Sequence, residues 1–166
     1  MKRRNFIKNA SLSGMGLAIG TTLSNCADKP SDKEEKSITT EVKGSLPLII
    51  ATWNFHNATT KAWETLQSGE SALDAIERGC MVEEADLKNT TVGNGASPDR
   101  DGNVTLDACI MNSKGDCGAV VYMQNVTHAI SVARKVMEDT PHVMLAGKGA
   151  EQFAYESGFK KEDLLT

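Results

Sequence analysis

The chain has 166 residues, with 18 Lys and Arg against 22 Asp and Glu, a net charge of −4, 40% hydrophobic residues and four cysteines. That length fits one domain plus a tail, and the 24% charged content is that of an ordinary globular protein rather than a disordered chain or a coiled coil. The acidic balance gives no basic footprint for DNA or RNA, and no run of 18 apolar residues codes a spanning helix.

Residues 1–25 carry Lys2, Arg3, Arg4 and Lys8 and no acid, followed by a mild apolar run from Ala10 to Gly20. A basic segment before a short apolar one reads as a secretion signal. Arg3-Arg4 with Asn5-Phe6-Ile7-Lys8 resembles the twin-arginine signals, whose cargo is exported already folded. Leu23-Ser24-Asn25-Cys26 resembles a lipobox, so Cys26 is expected either to carry a lipid anchor or to mark a simple cleavage point. The expected location is therefore the periplasm, with a membrane tether through Cys26 as one of the two outcomes. Residues 26–45 are polar, rich in Lys, Glu, Ser and Thr, and lack apolar periodicity; they read as a disordered tether.

Folded sequence is expected over residues 46–166. Leu46-Pro47-Leu48-Ile49-Ile50-Ala51-Thr52 is a continuous apolar run and predicts a strand buried on both faces. Asn57 or Thr59 can cap a helix that carries Ala62, Trp63 and Leu66 on one face and stops at Gly69. Ser71-Ala72-Leu73-Asp74 has the form of a capping box, opening a second helix with Leu73, Ile76 and Cys80 as its apolar stripe. A glycine-containing loop covers Lys88 to Gly102. Val104 to Met111 and Cys117 to Met123 predict two strands joined by an Asn112-Ser113-Lys114-Gly115 turn into an antiparallel hairpin. A third helix should run from about His128, capped by Thr127, with Ile130, Ala133 and Met137 in register. Val143 to Ala146 predicts a short strand, and Gly149 to Glu156 a fourth helix ending at Gly158. Lys161 to Thr166 has the pattern of another helix's first turn. The fold class is α/β with an antiparallel hairpin in the sheet.

Several chemical motifs fail on inspection. The cysteines at 26, 80, 109 and 117 show no C-x-x-C pairing, so a structural zinc site is not indicated. Cys80 and Cys109 read as buried free thiols, with a Cys109–Cys117 disulfide across the hairpin as the alternative that an exported location permits. Asp99-Arg100-Asp101-Gly102-Asn103 opens like a calcium loop, but Val104 stands where glycine is needed and Ile110 where a bidentate Glu is needed. His56, His128 and His142 have no ligand spacing. Two features survive. Thr52-Trp53-Asn54-Phe55 emerges at a strand's carboxyl end, where α/β proteins place ligand groups, although rim packing would also explain its aromatics. Thr91 to Asp99 joins closely spaced glycines to small hydroxyl side chains; it admits a ligand-approach reading, while local evidence favours a structural turn.

Taken together, Thr52-Trp53-Asn54-Phe55, Ala62-Trp63, Ser71-Ala72-Leu73-Asp74-Ala75-Ile76-Glu77, Val92-Gly93, Pro98-Asp99-Arg100-Asp101-Gly102 and Thr105-Leu106-Asp107-Ala108 resemble the glycosylasparaginases. Ile130 to Met137, Thr140 to Leu145 and Gly158-Phe159 extend the resemblance, which covers about residues 46 to 166. Asn94 departs from the family's usual aromatic residue and Ala96 from its usual glycine.

The resemblance implies an N-terminal nucleophile hydrolase built as an αββα four-layer sandwich. Such precursors cut themselves before a threonine, usually in a His-Asp-Thr-Ile-Gly segment, and the freed threonine then uses its own α-amine as base. The implied reaction hydrolyses the amide between N-acetylglucosamine and asparagine, releasing aspartate, with no metal or organic cofactor. No His-Asp-Thr occurs in these 166 residues. The expectation is therefore an α-subunit fragment, inactive alone, whose nucleophile lies downstream in a β subunit and whose αβ units form an oligomer. By resemblance, Trp53, Thr52 and Thr91 belong to the substrate pocket. The alternatives are an L-asparaginase or isoaspartyl peptidase of the same superfamily, or a non-catalytic, lipid-tethered binding module.

Overall fold

The computed structural model describes residues 46–165, so the expected signal, Cys26 and the tether lie outside the described residues. The elements are α1 (His56–Gln67), α2 (Ala72–Ala85), a 3-10 turn (Gly93–Gly95), β1 (Leu106–Met111), β2 (Cys117–Met123), α3 (Ala129–Asp139), β3 (Met144–Ala146) and α4 (Gly147–Glu156). The sheet has the order β1-β2-β3: β1 and β2 form an antiparallel hairpin, and β3 runs parallel to β2 after the α3 crossover. The chain is thus mixed α/β with a small sheet.

Local chemistry explains most of these boundaries. Ser71 accepts the Asp74 N–H at 3.1 Å, and the Asp74 carboxylate accepts the Ser71 N–H at 3.1 Å, completing the capping box that starts α2. Gly69 ends α1 with φ +87°, a conformation that L side chains rarely adopt. In the hairpin, Asn112 Oδ1 accepts from the N–H groups of Lys114 and Asp116 at 2.9 and 3.0 Å, fixing the turn.

The core sits between α3 and the sheet. Val120, Met123, Val132, Ala133 and Val136 are fully buried, together with Ala150 and Ala154 of α4. Gly118 permits this close packing: a Cβ there would run into the Ala133 carbonyl and the Met137 backbone. Near the end of β2, Asp107 of β1 faces two residues, Val121 and Tyr122, in a β-bulge. Tyr122 has φ +54°, and its N–H donates to Asp107 Oδ1 at 2.7 Å.

Some expectations are corrected. Residues 46–52 form no strand; Leu46, Leu48 and Ile50 are 86%, 64% and 79% exposed. A strand needs a neighbour for its amide and carbonyl groups, and none of the described residues pairs with this run. The expected helix faces hold in part: Ala62 is buried, and Leu73 and Cys80 pack partly buried against the core. α1 buries Ala62 and Thr65 while Trp63 is exposed, and α2 buries Ala75, Gly79, Glu83 and Glu84 while Ile76 is exposed. Small residues let the two helices approach closely, so they win the contact face from the bulky ones.

Thr127 does not cap α3. Its N–H donates to Glu162 Oε2 at 3.0 Å and its hydroxyl bonds the same oxygen, while Glu84 accepts the Ile130 N–H at 2.9 Å. Residues 161–165 form no helical turn, because Leu164 inserts into the core and Glu162 is held at Thr127. Cys80, Cys109 and Cys117 are free thiols. Cys109 is exposed rather than buried, since it points from the sheet face that α3 does not cover. In the hairpin register it stands opposite Ala119, and Cys117 stands opposite Met111.

Candidate functional site

A groove of about 470 Å³ opens between the 49–55 segment, the α1–α2 pair and the edge of β1. Its walls are mainly apolar, including Ile50, Ala62, Ile76 and Val92, with three carboxylates, Glu83, Glu84 and Asp107, among the lining groups. Pockets of this size with few polar groups are the usual form of a small-molecule site.

Thr52 and Trp53 both line this groove. Trp53 is 69% exposed and stacks on Phe55, with ring centroids 6.3 Å apart and planes 12° from parallel. A tight turn, in which the Phe55 N–H donates to the Trp53 carbonyl at 2.8 Å, brings the two rings to the same side. An exposed, stacked indole at a pocket rim offers a flat apolar face bounded by polar solvent.

Thr91 is placed differently. Its hydroxyl donates to Asn89 Oδ1 at 2.7 Å and its N–H reaches the same oxygen at 3.0 Å; its neighbour Val92, not Thr91, is among the groove-lining residues. Asn89 in turn donates to Glu83 Oε2 at 3.0 Å, tying the loop to the end of α2. Gly93, with φ +64°, lies against the backbone of Glu84, where a Cβ would overlap the carbonyl. The glycines of this loop therefore serve close backbone packing on α2, as the turn reading expects.

The three groove carboxylates are already engaged. Glu83 takes the Asn89 amide, Glu84 takes the Ile130 N–H and faces His128 Nδ1 at 3.2 Å, and Asp107 takes the Tyr122 N–H. Each holds the frame, so the groove has the character of a binding wall. Cys80 also lines it, but burial, reinforced by Glu84, Cys109 and Glu83, pushes its thiol up to about 11, which makes it a poor nucleophile near neutrality. Among the described residues, no group of three His, Cys, Asp or Glu side chains gathers to hold a metal ion.

Sequence reasoning missed Glu84 and Asp107. Their signal was weak: Glu83-Glu84 sits at a helix end where paired acids ordinarily face solvent, and the use each carboxylate finds depends on residues 15 to 46 positions away.

Comparison with known proteins places these features in context. The asparaginase family model matches residues 35–166. The N(4)-(beta-N-acetylglucosaminyl)-L-asparaginase of Elizabethkingia miricola is 45% identical over 166 residues, covering 99% of this chain and 46% of that protein. The proteins of the same name from Rattus norvegicus and Mus musculus are each 52% identical over 128 residues, covering 75% of this chain and 37% of theirs. The chain spans less than half the length of these curated relatives.

Proposed function

The chain belongs to the asparaginase family, and from that premise we propose that the complete protein is an amidohydrolase acting on N-acetylglucosamine-linked asparagine, with aspartate as a product. The observation that carries this reading is the exposed Trp53–Phe55 stack at the rim of an apolar groove, in a chain whose relatives are named for that substrate. A sugar ring with mixed apolar and polar faces suits such an aromatic platform.

In this reading the described residues supply a pocket wall. Thr52 and Trp53 face the substrate, and Thr91 supports the loop behind them. The attacking hydroxyl comes from a threonine downstream of residue 166, freed by self-cleavage and served by its own α-amine. The small sheet becomes one layer of an αββα sandwich, its uncovered face receiving a second sheet from the β subunit, and αβ units assemble into an oligomer. The twin-arginine-like segment directs export to the periplasm, and Cys26 either carries a lipid tether or marks the cleavage point.

The test is direct. The complete protein should release aspartate from N-acetylglucosaminyl-asparagine and run as two fragments on a denaturing gel; a single persistent band with no aspartate would refute the reading. Trp53→Ala should lower kcat/KM about tenfold or more, about 1.4 kcal/mol of transition-state binding, and unchanged kinetics would return Trp53 to rim packing. Faster turnover of free asparagine or a β-aspartyl dipeptide than of the glycosylated substrate would favour the L-asparaginase or isoaspartyl peptidase alternative.

A further inference from the structure

Two carboxylates from distant parts of the chain hold the turn that starts α3. Glu162 binds both the N–H and the hydroxyl of Thr127. Glu84, on the last turn of α2, accepts the Ile130 N–H with Oε1 at 2.9 Å and faces His128 Nδ1 with Oε2 at 3.2 Å. The two partners of the second contact differ in access: the Glu84 side chain is 8% exposed and the His128 ring 31%. Solvent protons can therefore reach the imidazole, while the carboxylate stays anchored by a helix amide.

His128 occupies the N-cap position of α3 and makes no capping bond of its own. The positive end of a helix favours the Glu84 carboxylate there and disfavours an imidazolium. Opposing that, Glu84 and Glu77 of α2 and Glu162 of the C-terminal segment all act on the ring, and Lys160 acts on Glu162. The hydrogen bond to Glu84 is the largest of these influences and, against the cost of burial, holds the ring's proton above the ordinary histidine range.

We propose that the Glu84–His128 pair is a proton-operated latch between α2 and the first turn of α3, closed when the imidazole is charged and loosened when it is neutral. A charged donor makes a shorter and stronger bond to a carboxylate than a neutral one does, so the contact weakens on deprotonation without disappearing. Glu84 and Ile130 both line the groove that Thr52 and Trp53 line, so the latch sets how firmly that wall is held. Because the folded ring holds its proton more tightly than the unfolded one, the added stability is complete below the ordinary histidine value of 6.5 and is lost as pH rises through the higher folded value.

The test compares the intact protein with His128→Asn, Glu84→Gln and the double variant, by denaturant unfolding over about pH 5 to 9. The ratio of the wild-type folding constant to that of His128→Asn should fall as pH rises. The total factor should equal the ratio of the ring's acid constants in the unfolded and folded chain, about tenfold for each unit between them. In the Glu84→Gln background this fall should vanish. A ratio that is flat or rises with pH overturns the latch, as does a fall that survives Glu84→Gln, which would assign the linkage to Glu162 or Glu77. Should either variant fail to fold, the NMR titration of the His128 ring in the wild-type protein decides: a midpoint above 6.5 supports the latch, and one at or below it refutes it.

Discussion

The segment from Leu46 to Phe55 and the unit formed by α2, α3 and the sheet are both rich in apolar residues, yet they meet opposite fates. In the unit, the inner face of the sheet has α3 against it, and Val120, Met123, Val132 and Val136 are fully withdrawn from water. In the segment, Leu46, Leu48, Ile50 and Trp53 stand exposed. Apolar composition alone does not make a strand; a neighbour that satisfies its backbone does.

Polar groups follow the same division. Arg134 of α3 reaches Asp74 and Glu77 of α2, each at 2.6 Å, and Glu138 on its own helix at 2.8 Å, so the two helices are cross-tied as well as packed. In the 46–55 segment, the one backbone bond within the run is the turn at Phe55.

The contrast can be broken most forcefully inside the unit. Gly118→Val should destabilise by about 3 kcal/mol or more in denaturant unfolding, because the new side chain must displace the Ala133 and Met137 backbone. Arg134→Ala comes next at about 2 kcal/mol, leaving two partly buried carboxylates without their cation. Ser71→Ala should cost about 1 kcal/mol through the lost cap. It should also change the acid limb of stability. Ser71, followed by Arg134, holds Asp74 at about 2 against an ordinary 3.8. That contribution is therefore present above 3.8 and disappears as pH falls toward 2, and the variant should lose this acid-side slope in part. The smallest effect belongs to the segment: Ile50→Ser in the 166-residue chain should shift stability by less than about 0.5 kcal/mol, and a larger loss would show that Ile50 is covered.

The same contrast explains what could be read from the amino-acid order. The capping box at Ser71, the Asn112 turn, the limits of β2 and the glycine stops at Gly69 and Gly158 depend on contacts within a few residues, and the structure reproduces them. The faces of α1 and α2 depend on which neighbour can come closest: Ala62, expected inward, meets Gly79, while Trp63 and Ile76, also expected inward, stand exposed. At the groove, Thr52 and Trp53 stand out in the amino-acid order as the end of a strand that does not form; they reach the groove wall from an exposed segment instead. The engagement of Glu84 with Ile130 and of Glu162 with Thr127 was not legible, since it joins positions 46 and 35 residues apart.

The bulge opposite Asp107 has a consequence for chain length. Side chains alternate along a strand, so if these same residues ran in a regular pleat Met123 would share the outer surface with Ala119 and Val121. Spending two residues, Val121 and Tyr122, against one on β1 reverses that parity and pairs Met123 with Leu106 on the inner surface, where it is wholly enclosed. Deleting Tyr122 would therefore cost the bulge and its tie to Asp107 Oδ1 rather than the inward place of Met123, which would follow two positions after Val120 and still face Leu106.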